Sequence, residues 1–145
     1  MSKELKTKVG LIQEGEMIFK CELGNFKMDN LYIDETDKKE IEKIGPSPAK
    51  LLALSVLGCL SASFSFCIQK KNYSLSGFEG KAEVKIARNE KGFWRVKNID
   101  IELNPKIDTP EMRRRADQCR KFFEQYCIIS ESLRTGFDVN VSLNY

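Results

Sequence analysis

The side chains able to do chemistry in this sequence are five cysteines, Cys21, Cys59, Cys67, Cys119 and Cys127, in a chain of 145 residues without a histidine. The missing histidine removes Ser-His-Asp triads, Cys-His dyads, His-ligated metals and imidazole proton shuttles together. Thiol chemistry is the natural remainder, because a thiolate needs no histidine to be a nucleophile. Cys59 and Cys67 lie eight residues apart, as do Cys119 and Cys127 if one helix spans both. On a helix that spacing separates the sulfurs by ~12 Å along the axis. Neither pair can close a disulfide locally or share a metal ion, and the spacing speaks against zinc. A reactive pairing has to join one segment to another.

Weighed singly, most of these cysteines read as small buried hydrophobes. Cys21 falls on the apolar face of a predicted strand, Cys119 on the apolar stripe of a helix, and Cys67 near the end of a long apolar helix. Cys59 differs because Gly58 and the surrounding serines let another backbone or a substrate approach. Cys127 precedes a short helix, where backbone amides and the helix dipole lower a thiol pKa. Cys119, two turns before Cys127, is a spare thiol for the same chemistry.

The elements that position these residues follow from punctuation and periodicity. Val9 to Ile12 reads as a strand, Glu14-Gly15-Glu16 as a turn, and Phe19, Cys21 and Leu23 as alternate positions of a second strand, with a third between Phe26 and Ile33. Lys38 to Lys43 is a charged connection. Gly45-Pro46-Ser47-Pro48 predicts a helix start, with Ser47 as N-cap and Pro48 in the first turn. From Leu51 to Ile68 no residue is charged, and a helix from Pro48 to Lys70 would be ~34 Å long. The serines, Gly58 and the short amphipathic neighbours favour a helix buried on nearly every side within a soluble protein over a membrane span.

Tyr73 to Arg88 and Phe93 to Leu103 form the arms of a hairpin, with a phase shift that calls for a bulge near Asn98. Thr109-Pro110-Glu111 starts a second helix whose apolar stripe runs Met112, Ala116, Cys119, Phe123 and Tyr126. A short helix follows Cys127 and ends near Gly136, and Phe137, Val139, Val141 and Leu143 alternate as a half-buried final strand. The order βββ, long α, ββ, α, short α, β describes one α+β domain over residues 1–145.

Charge names no partner: 24 Lys and Arg against 21 Asp and Glu leave +3. Arg113-Arg114-Arg115 with Arg120 and Lys121 is balanced by Glu111, Asp117 and Glu124, so it reads as a solvated helix face and no nucleic acid is expected. An odd cysteine count without an N-terminal signal segment fits a reducing compartment, the cytoplasm.

Gly45-Pro46-Ser47-Pro48-Ala49-Lys50-Leu51-Leu52-Ala53-Leu54, leading through Gly58-Cys59-Leu60-Ser61, resembles the central helix of the OsmC/Ohr family, the osmotically inducible and organic hydroperoxide resistance proteins. Tyr126-Cys127-Ile128-Ile129-Ser130 is similar to the family's second cysteine motif, with Ile128 where Pro is usual. The resemblance runs from about Val9 to Tyr145. It implies an OsmC-like fold with antiparallel sheets around a long buried helix, in an intertwined homodimer with sites at the subunit interface. It further implies that Cys59 attacks a hydroperoxide and that Cys127 resolves the sulfenic acid to a disulfide, which an external dithiol or small thiol reduces. Neither a metal nor a bound cofactor is implied.

Two departures from the family pattern qualify this. The family glutamate ten residues before the first cysteine is Ala49 here, and no arginine precedes Arg88. Lys20, Lys27 and Arg134 are the candidate replacements for the thiolate's cation. The departures also admit an alternative: a non-catalytic or redox-responsive dimer of the same fold that binds a small apolar ligand.

Overall fold

The computed structural model describes residues 4–145, and the chain folds as two compact units, the first ending at Leu51 and the second beginning at Leu52. In the first unit β1 (Gly10–Gly15), β2 (Ile18–Glu22) and β3 (Tyr32–Asp34) make an antiparallel sheet in the order β1-β2-β3, with Leu11 opposite Cys21 and Phe19 opposite Ile33. The third strand is shorter than the apolar run from Phe26 predicts. Gly24, at φ +61°, folds the chain back so that Leu23 bridges Phe26, which leaves only Tyr32–Asp34 to pair with β2.

Asp34, at the end of β3, is fully buried and ties this unit to the approach of the long helix. Its carboxylate accepts the Thr36 hydroxyl at 2.5 Å, the Thr36 amide at 3.0 Å and the Ile44 amide at 3.0 Å. The Thr36 hydroxyl and the two amides hold its pKa at about 2, below the ordinary 3.8. A carboxyl depressed in the folded state stabilises fully above its ordinary value and loses that contribution as pH falls through the folded one. Exchange of the Thr36 and Ile44 amides, relative to their neighbours, is therefore expected to accelerate between about pH 4 and pH 2. Unchanged protection across that window would remove Asp34 from this role. Gly45 passes so close to Tyr32 that a Cβ there would lie 1.8 Å from the Tyr32 carbonyl oxygen.

The helix α1 (Pro48–Gln69) begins where the Pro-Ser-Pro punctuation places it, with Ser47 Oγ accepting the Lys50 amide at 3.3 Å. By length and composition it could cross a membrane. In the second unit its Val56, Leu60, Phe64, Cys67 and Ile68 face inward. The other side is open: Leu54, Gly58, Ala62 and Phe66 form an exposed stripe four residues apart, so the helix is buried on one face and not on nearly every side.

β4 (Phe78–Arg88) and β5 (Trp94–Pro105) pair as an antiparallel hairpin. Its register shifts where Lys85 faces Asn98 and Ile86 faces Val96, so Lys97 is the extra residue of a bulge, beside the Asn98 that the phase change indicated. α1 crosses the hairpin closely at Gly80, where a Cβ would meet Leu57 Cδ1 at 2.8 Å.

Thr109 caps α2 (Pro110–Arg120), its hydroxyl accepting the Met112 amide at 3.1 Å. The helix stops at Arg120 instead of running to Tyr126, because the chain leaves the helical conformation at Phe122 and tightens into a single 3-10 turn, Phe123–Tyr126. α3 (Ile128–Thr135) follows and ends at Gly136, at φ +79°. The alternating segment from Phe137 to Leu143 is not a strand in this chain. Its apolar residues stand in the open, and among the described residues no β-edge pairs with it. A strand exists only where a neighbouring edge accepts its amides, which the alternation of residues cannot guarantee.

Candidate active site

α1 places Cys59 in mid-helix, half-buried, on the flank of the face formed by Val56 and Leu60. The segment before α3 brings Cys127 to the same place. Ser63, one turn beyond Cys59, donates its hydroxyl to the Phe123 carbonyl, and the Phe64 ring meets the Phe123 ring edge-on at 5.3 Å. These contacts fasten the 3-10 turn to α1 and deliver Cys127, 1% exposed, into a cluster with Val56, Leu60, Cys59, Ile99 and Ile101. Two thiols from distant segments, both free, thus pack against one another.

Their electrostatics differ in sign. Burial pushes the Cys59 thiol above its ordinary value, and the neighbouring Cys127 sulfur adds to this, against the Ile129 and Ile128 amides that pull it down. Burial also acts upward on Cys127, yet the Ser130 hydroxyl and amide, the Cys59 thiol and the Ile129 amide together hold it below its ordinary value. The Ser130 amide reaches Cys127 Sγ at 3.4 Å, with Cys127 as the N-cap of α3. The helix N-terminus at Cys127 is legible in the sequence, whereas the role of Ser130 emerges from the structure. The cap-to-third-residue spacing of Cys127 and Ser130 was the signal available.

The other cysteines are distributed differently from the sequence expectation. Cys67 and Cys119 are not separate buried hydrophobes: they are joined in a disulfide between the end of α1 and α2, with Cα atoms 5.9 Å apart. Spacing along one helix cannot reveal a partner that a helix crossing supplies. The bond also removes Cys119 as a spare resolving thiol. Arg115 reinforces the junction, its Nε and Nη2 donating to the Cys67 carbonyl at 3.0 and 2.8 Å. Cys21 is a free, half-buried thiol in β2.

Of the candidate cations, Arg134 lies on α3 but is engaged by Glu124, at 2.6 Å, and by Glu131. Lys20 is in β2 and Lys27 in the turn region after it, both in the first unit, and Ala49 is in the first turn of α1. A cavity of about 710 Å³ opens beside Cys59 and is walled by Phe66, Phe122, Tyr126 and Ile128, with Lys70 at its margin. Lys70 Nζ sits over the Phe66 and Tyr126 rings, 5.0 and 5.7 Å from their centroids. The arrangement offers a small apolar molecule a thiol backed by a second thiol.

Fold and site together define an α+β protein in which a cysteine in the long helix meets a cysteine capping a short one. The OsmC-like protein family matches residues 37–142, which is most of the chain, and the chain belongs to that family. No curated protein sequence matches it. Among solved structures it is similar to an OsmC-like protein of unknown function from Vibrio cholerae, with TM-score 0.71 and 10% identity over 89% of this chain and 94% of that one. It is also similar to the organic hydroperoxide resistance protein OhrB of Bacillus subtilis, with TM-score 0.64 and 17% identity over 90% and 91% of the two chains. An OsmC-like protein from Mycoplasma pneumoniae superposes with TM-score 0.66 and 13% identity over 91% and 89%. At these identities the superpositions show a shared fold.

Proposed function

We propose that the protein reduces organic hydroperoxides with its own thiols and is regenerated by an external dithiol, without a metal or bound cofactor. The packing of Cys59 against Cys127 carries this reading. The Cys59 sulfur attacks the distal peroxide oxygen: an S–O bond forms, the O–O bond breaks, and the alcohol leaves. Cys127 then displaces hydroxide from the sulfenic acid, an S–S bond forms, and the hydroxide takes a proton to become water. The dithiol returns two electrons to the bridge. The aromatic walls of the adjoining cavity suit an alkyl or aryl hydroperoxide, and the reading calls for a compartment that supplies a dithiol.

Disulfide mapping after one equivalent of cumene hydroperoxide, with peroxide loss followed in the presence of a dithiol, tests the reading. A Cys59–Cys127 bond that forms and turns over is the expected result. The raised Cys59 thiol favours a second reading, a redox-responsive or ligand-binding protein, for which the bond would form once, slowly and without turnover.

We further propose that the functional unit is a homodimer with the sites at its interface. The exposed stripe Leu54, Gly58, Ala62 and Phe66 lies on a helix face without charge, and at Gly58 a Cβ would meet nothing within 4 Å. The exposed alternating segment Phe137 to Leu143 has the pattern of a strand that pairs outside its own chain. Light scattering is expected to give twice the 16.6 kDa chain mass. A monomer would count against the dimer.

A further inference from the structure

α3 presents its N-terminus to a sulfur: Cys127 Sγ accepts the Ser130 amide at 3.4 Å, in the place where caps usually offer oxygen. The first-turn dipole of the helix favours negative charge at the same atom. A second observation points there independently. Ser130 is 6% exposed, and its buried hydroxyl lies close enough to act on the Cys127 sulfur but completes no hydrogen bond of full geometry among the described residues. Buried hydroxyls are ordinarily paired, so an orphan beside a capping sulfur is a donor waiting for an acceptor stronger than a neutral thiol. A thiolate at Cys127 is that acceptor.

We propose that Ser130 is a positioning residue that places the negative charge of the thiol pair on Cys127, so that Cys127 serves as the base for Cys59 before it serves as the resolving thiol. The second half rests on the function proposed above. As Cys59 attacks the hydroperoxide, its proton passes to Cys127, the S–O bond forms and the O–O bond breaks. The alkoxide then takes that proton from Cys127 and leaves as the alcohol. Cys127 is once more a thiolate, now facing the Cys59 sulfenic acid; it attacks sulfur, the S–S bond forms, and hydroxide departs. One sulfur atom thus supplies the base in a chain that has no histidine and in which Ala49 stands at the family glutamate position.

The direction in which the two thiols are shifted, Cys59 up and Cys127 down, agrees with this charge placement. The charged and polar groups on the other elements packed around the site are these. From α1 the group is Cys59 itself, and from β5 the neighbours Ile99 and Ile101 are apolar. Lys97 on β5 and Arg134 on α3 line, with Ser130, a separate cavity of about 430 Å³. On α3, Glu131 and Arg134 are paired, with Glu124 completing the cluster.

The test is an ultraviolet thiolate titration in a Cys21→Ser background, comparing the parent with Ser130→Ala, Ser130→Thr, Cys127→Ser and Cys59→Ser. The parent is expected to show a thiolate step below the ordinary thiol pKa of ~8.5. Cys127→Ser removes that step, Ser130→Ala raises it by about one pH unit, and Ser130→Thr, which keeps the hydroxyl, restores it. A step that survives in Cys127→Ser and vanishes in Cys59→Ser overturns the proposal, as does one that Ser130→Ala leaves in place. A parent that titrates as described but consumes no peroxide with a dithiol counts against the proposed function and leaves the charge placement standing.

Discussion

Cys59→Ser is expected to abolish dithiol-dependent hydroperoxide consumption, by at least about a thousandfold, as removal of a covalent nucleophile does. The serine hydroxyl is nearly isosteric, so the half-buried site on α1 keeps its packing against Val56 and Leu60 while its attacking atom loses an accessible anionic form. Cys127→Ser is expected to differ in kind. Its Cys59 still meets peroxide through the adjoining cavity, more slowly without Cys127 as base, and the sulfenic acid then lacks the thiol packed against it, so one equivalent reacts and turnover stops. Cys119 cannot take over, because it is already bonded to Cys67. A burst of peroxide loss followed by a plateau, with sulfenic acid trapped at Cys59, is the signature to look for. Steady consumption by Cys59→Ser at the parent rate would end the enzymatic reading.

The second large effect concerns stability. Replacing both Cys67 and Cys119 by alanine is expected to lower unfolding free energy by about 4 kcal/mol, because the bond closes a loop between residues 52 apart in sequence. For a chain of this length that corresponds to a drop in Tm of roughly 10 °C. Folding itself should survive. Phe64 and Ile68 remain packed with Phe78, Phe122 and Phe123, and Arg115 still holds the Cys67 carbonyl. Urea unfolding of the parent with and without a reductant, beside the double variant, measures the effect. If neither treatment moves the midpoint, the two sulfurs are not bonded in solution.

Local chemistry made a large part of this molecule readable in advance. Ser47 and Thr109 mark their helix starts because a side-chain oxygen beside a proline satisfies amides that the helix leaves bare, and that is decided within four residues. The bulge near Asn98 shows in the sequence because a pleated strand cannot change the face of its apolar residues without inserting one. Cys59 and Cys127 stood out through their motifs, and Cys127 through its place before a helix.

Where the sequence reading failed, the deciding partner came from elsewhere in space. Cys67 and Cys119 look like core residues on two separate helices, and only the crossing of α1 and α2 makes them a covalent pair. The apolar run in α1 specifies a helix, but which of its sides is covered depends on where the hairpin and α3 lie, and one side is left open. Phe137 to Leu143 alternates as a strand does, but pairing needs an edge that the segment cannot carry itself. The sequence by itself determined where α1 and α2 start, the phase change within the hairpin and the types of residue available for chemistry, since these depend on backbone sterics and nearest neighbours. Tertiary structure alone decided which thiols meet, which are locked together and which one Ser130 faces, because distance in space is set by packing and not by position along the chain.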